Sequence, residues 1–135
     1  MSTNLKIIVI ISVLVIIILL FGLLQNAPRK INKNRFSKKW VRLQKFLPDK
    51  DTWPLAIIDA DKLLDEALRK RRFKGKTTGE RLVAAQHSLT NNDAVWFGHK
   101  LRNKLVHEQD VKLKKNDVKS ALTGIRQALK DLKAL

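Results

Sequence analysis

The run Ile7–Leu24 constrains this chain more than any other feature. Only Ser12 and Gly22 interrupt its Ile, Leu, Val and Phe over 18 residues. As a helix it is about 27 Å long, enough to cross the hydrocarbon core of a bilayer. A soluble helix would carry a polar face, and this one has none. A cleaved signal peptide is the competing reading. Its charged region would be only Met1–Lys6, and the exit Leu24-Gln25-Asn26-Ala27-Pro28 lacks a small-x-small site. The sequence therefore favours an uncleaved anchor. Lys6 precedes the run, whereas Arg29, Lys30, Lys33, Arg35, Lys38, Lys39, Arg42 and Lys45 follow it. The positive-inside rule then puts the N-terminus outside and the C-terminal domain in the cytoplasm, at the plasma (inner) membrane.

All but one of the 28 Lys and Arg, and all 12 Asp and Glu, lie beyond the anchor. A surplus that large in a small domain predicts an anionic partner, either lipid headgroups or nucleic acid. The chain has no cysteine, which excludes disulfides, thiolate metal sites and cysteine nucleophiles. What remains after the anchor is enough for one modest core and too short for a doubly wound sheet.

The expected organisation is an anchor over 1–25, a basic juxtamembrane linker and helix over 26–50, and a helical domain over 51–135. Phe36, Trp40, Leu43 and Leu47 form one helical stripe among Lys38, Lys39, Arg42 and Lys45. That stripe reads either as the first core face or as a helix lying on the anionic leaflet. In the second reading Arg29, Lys30, Lys33, Arg35, Lys38 and Lys39 meet lipid headgroups. Thr52 is a candidate N-cap, with Pro54 in the first turn and an apolar stripe of Trp53, Ile57, Ala60, Leu64, Ala67 and Leu68. Asp65/Arg69 and Glu66/Lys70 are i, i+4 pairs. Asp59, Asp61, Asp65 and Glu66 read as ion-pair partners of neighbouring cations. Thr77 and Glu80 have capping-box spacing before a short helix with Leu82, Val83 and Leu89. A helix follows over about 93–108. The last has the stripe Val118, Ala121, Leu122, Ile125, Ala128, Leu129 and Leu132. No segment alternates with period two, so the expected class is all-α. It comprises the single anchor followed by a four- to five-helix antiparallel bundle.

The 93–108 helix carries the chemistry. With His99 at zero, Ala94, Phe97, Gly98, Leu101 and Leu105 fall at roughly 160° to 260°, a core stripe. Arg102, Val95, Val106, His99, Asn103, Trp96 and His107 take the other side. Val95, Val106 and Trp96 have no reason to face water, so that side is expected to meet another helix or a second copy of the chain.

Arg102-Asn103-Lys104-Leu105-Val106-His107 matches the R-N-x-x-x-H motif of HEPN domains, followed by Glu108. The stretch Trp53–Glu108 resembles uncharacterised bacterial proteins in which such a bundle follows a membrane anchor. The resemblance implies a small helical bundle that pairs through residues 93–108. In many members two motif copies line one cleft and cut RNA without metal. It implies His107 as acid/base, Arg102 as charge stabiliser and Asn103 as an orienting group. Histidine titrates near neutral pH, and a guanidinium can hold two phosphorane oxygens. On one ideal helix Arg102 and His107 are about 140° apart, so one copy presents them poorly to a single phosphate.

Arg69-Lys70-Arg71-Arg72-Phe73-Lys74-Gly75-Lys76 holds six cations in eight residues. It reads either as a solvated loop or as a phosphate-binding one, with Phe73 stacking on a base and His99 adding to the RNA-binding set. No metal ligand set is expected, because no H-E-x-x-H pattern or acidic cluster accompanies the histidines, and no cofactor is implied. His87 reads as solvated. The leading expectation is a membrane-anchored domain that binds RNA, with metal-free cleavage as its possible enzymatic activity. The alternative is a non-enzymatic scaffold or partner-binding module.

Overall fold

A computed structural model describes residues 2–135. Among these there are no strands, and six helices account for the architecture. α1 (Thr3–Asn26) is long and apolar enough to cross a membrane, and it buries none of its residues against the rest of the chain. Ser12 Oγ donates to Ile8 O at 2.9 Å, which satisfies the one hydroxyl in the apolar run. The bundle consists of α2 (Lys33–Gln44), α3 (Trp53–Lys70), α4 (Thr78–Ala84), α5 (Asn92–His107) and α6 (Lys115–Asp131). α3 is central and touches each of the other four.

The stripe of α2 belongs to the core. Phe36, Trp40 and Leu43 are buried and Leu47 packs against them. The aromatics are therefore unavailable to a membrane interface. Asn32 starts the helix, accepting from Arg35 N at 3.1 Å. The α2–α3 connection is closed by two side chains. Thr52 Oγ1 donates to Phe46 O at 2.7 Å and Trp53 Nε1 to Leu47 O at 2.8 Å. Thr52 thus precedes α3 without capping it through its side chain, because the hydroxyl is spent on the turn.

All seven expected core positions of α6 are buried. In α3 Ile57, Ala60, Leu64, Ala67 and Leu68 are buried as expected. Ala56, Asp61 and Leu63 join them, since a helix with four neighbours buries a wider arc. Thr77 caps α4, accepting from Glu80 N at 3.1 Å. The Glu80 carboxylate reaches Lys76 N rather than Thr77 N. Leu82 and Leu89 are buried, whereas Val83 is exposed.

α5 differs most from expectation. Val95, Gly98 and His99 are buried, while Phe97 is exposed. The buried arc is rotated towards the side that carries the polar residues. Two glycines explain this. A Cβ on Gly98 would lie 2.9 Å from Ala121 O, and one on Gly124 would collide with the Ala94 backbone. α5 and α6 therefore touch backbone to backbone. α5 packs against both α6 and α3 and turns His99 onto α3.

Candidate functional site

Asp61 lies on the apolar stripe of α3, between Ile57 and Leu64, and is buried. A buried carboxylate needs compensation. His99 supplies it from α5: its Nδ1 is 2.9 Å from Asp61 Oδ1, with both side chains almost fully enclosed. The carboxylate accepts from Nδ1–H, which leaves Nε2 to accept from the Asn103 amide at 3.3 Å. Arg102 Nη1 in turn donates to Asn103 Oδ1 at 3.0 Å. Arg102 Nε stands 3.6 Å from Asp61 Oδ2, an ion pair without a hydrogen bond. The Trp96 ring meets the imidazole edge-on, with centroids 5.7 Å apart. A Cβ on Gly79, in the first turn of α4, would lie 3.7 Å from His99 Nε2. The chain Asp61–His99–Asn103–Arg102 thus runs from the α3–α5 contact out to a guanidinium whose side chain is 28% exposed.

The sequence-expected residues fall into three groups. Arg102 and Asn103 are held together, with His99 behind them rather than at the surface. His107 is the last residue of α5, exposed, with no side-chain hydrogen bond or ion pair among the described residues. It is about 7.5 Å further along the axis than Arg102. Trp96 is half-buried and packs on the chain's own core. Asp61 was not singled out as a site residue by sequence reasoning. Its signal was a carboxylate within an apolar stripe, which the surrounding acidic residues obscured.

Asp65 and Glu66 also form ion pairs, with partners only partly as expected, whereas Asp59 has no ion-pair partner among the described residues. Asp65 holds Arg69 at 3.1 Å and also Arg81 at 2.7 Å. Glu66 takes Arg35 and Lys39 of α2 at 2.7 and 2.8 Å instead of pairing with Lys70. Burial alone would raise the Glu66 pKa. The Lys39 hydrogen bond and the charges of Lys39, Arg35 and Lys70 outweigh it and hold the group below its ordinary value. Two of the expected membrane-surface cations, Arg35 and Lys39, are thereby committed to Glu66, whereas Arg29, Lys30, Lys33 and Lys38 are exposed.

The basic stretch covers the end of α3 and the turn and loop that follow it. Arg72 has φ 65°, and Phe73 N donates to Leu68 O at 3.1 Å, the closure of a Schellman motif. Phe73 packs against the core, so it is not free to stack on a base. Arg69, Arg72, Lys74 and Lys76 are exposed, and Lys70 and Arg71 half-buried. No group of three or more metal-ligating side chains occurs among the described residues. Comparison with known proteins gives no match: no family model fits the chain, and no curated protein or solved structure is significantly similar to it.

Proposed function

We propose that this chain is a single-pass membrane protein, N-terminus outside, whose basic HEPN-like domain lies in the cytoplasm and binds RNA at the Arg102 edge of α5. The observation that carries this reading is the chain Asp61–His99–Asn103–Arg102. It spends three side chains on orienting one partly exposed guanidinium, in a protein of net charge +16. A guanidinium fixed on its inner side keeps outward donors for a phosphate, and pre-orientation lowers the entropy cost of holding one. Asp61, His99 and Asn103 are positioning residues in this reading, and Arg102 makes the contact.

The same arrangement suits metal-free cleavage. His107 would move the proton and Arg102 would hold charge on the phosphorane. Their separation along α5 is bridged when two copies pair through residues 93–108, so that one copy's Arg102 approaches the other's His107. Confinement to a membrane favours such pairing. The test is incubation of the full chain in detergent with RNA and EDTA. Cleavage lost in both Arg102→Ala and His107→Ala supports the enzyme. Cleavage that survives both substitutions removes it, and RNA binding that is indifferent to Arg102→Ala removes the site itself.

A second reading, a non-enzymatic module that docks a partner, is favoured by one observation. His99 has both ring nitrogens paired inside the chain, and Trp96 packs on its own bundle. A chain that neither binds nor cleaves RNA, with Arg102→Ala and His107→Ala both silent, would select it.

A further inference from the structure

The chain leaves α1 at Asn26, and three residues later Arg29 N donates to Lys70 O at 2.9 Å. Ile31 is then buried in the core. Three residues reach at most about 11 Å. The C-terminal end of α3 is therefore held within that distance of the end of α1. If α1 crosses the bilayer, this end of the domain lies at headgroup level.

The most basic stretch of the protein starts at that carbonyl. Between Arg69 and Gly79 there is no acidic residue. Of the six cations Arg69, Lys70, Arg71, Arg72, Lys74 and Lys76, only Arg69 has an acidic partner within ion-pair distance among the described residues. The stretch is also pre-shaped. Arg72 occupies a left-handed position where glycine is the usual residue. Phe73 pins the following turn to the core, and the Lys76 amide is tied to Glu80. Arg29 and Lys30 are exposed on the tether beside it.

We propose that Arg69–Lys76, with Arg29 and Lys30, forms an anionic-lipid face that seats the α3 end of the domain on phospholipid headgroups. This rests on the reading of α1 as a membrane anchor. Each cation near an anionic leaflet contributes about 1 kcal/mol at low salt, roughly five-fold in affinity. RNA offers the same phosphate chemistry. The leaflet differs in being tethered to this face at every protein concentration, whereas RNA must arrive by diffusion.

The chain has no cysteine, so single labels can be placed uniquely. Lys74→Cys reports on the face. Lys50→Cys reports from beyond the opposite end of α3, about 27 Å away. The full chain would be inserted in nanodiscs of neutral lipid or of neutral lipid mixed with phosphatidylglycerol, with a headgroup-borne quencher. The expected result is stronger quenching at 74 than at 50 in anionic discs. At high salt, in neutral discs and in Arg71→Glu/Arg72→Glu/Lys76→Glu, the signal at 74 falls towards that at 50. Equal quenching at 74 in neutral and anionic discs overturns the proposal, because the tether alone would then set the distance. Displacement of the 74 label from anionic discs by added RNA overturns it in favour of a nucleic-acid face. A chain that never enters the discs sinks the anchor reading instead, and this one with it.

Discussion

α3 presents acidic residues on two sides, and the two sides behave differently. Asp61 faces inward and meets one histidine and one arginine of α5 inside the bundle. Asp65 and Glu66 lie towards the outer side, 17% and 20% exposed, and join α2, α4 and α3 itself through Arg35, Lys39, Arg69 and Arg81, of which only Arg81 is mostly enclosed. The residue types are the same and the spacing is four and five positions. The difference is solvent. Outside, water and salt screen each pair, and losing one partner lets the other rehydrate. Inside, Asp61 and His99 cannot rehydrate, so losing one leaves the other buried without its partner, while Arg102 keeps an exposed edge.

The largest expected effect tests the inner side. Asp61→Ala strands the buried His99 Nδ1–H and removes the inner partner of Arg102, and is expected to cost about 2–3 kcal/mol in denaturant unfolding. A loss no larger than that of an outer-side variant would abolish the distinction. The next effect has the opposite sign. Arg72→Gly removes a side chain from a left-handed position and is expected to raise stability by about 1 kcal/mol. The same variant should weaken quenching of the Lys74→Cys label in anionic discs. A gain in stability with no loss at the membrane would sharpen the view that Arg72 is only a helix ending. The smallest effect is on the outer side. Glu66→Gln is expected to cost under about 1 kcal/mol at neutral pH. Because the folded-state pKa of Glu66 is depressed, its contribution is present above its ordinary value of 4.5 and is lost as pH falls through the folded value. Wild type and Glu66→Gln should therefore converge in acid melts, and a gap that persists at low pH would point to a packing role.

These contrasts also mark how far the sequence could be read. The seven buried residues of α6 follow from its periodicity, and the start of α4 at Thr77 from its capping chemistry. The stripe of α2 was legible, but whether it met core or membrane was not. In the candidate site Arg102 and Asn103 were legible as a motif. The rotation of α5 was not, because it depends on how closely Gly98 and Gly124 let two backbones approach.

What the sequence alone determined is local: helix positions and ends, an apolar segment able to span a bilayer, and a basic remainder. Those follow from propensity, period and charge within a few residues of each position. Only the tertiary structure decided that Asp61 meets His99 from 38 residues away, that Glu66 serves α2, and that Arg29 is tied to Lys70. Each of those pairings depends on the rotation and closeness of packed helices, which no single helix encodes. The candidate site is built from pairings of that kind, whereas the apolar helix long enough to span a bilayer is written in one unbroken stretch.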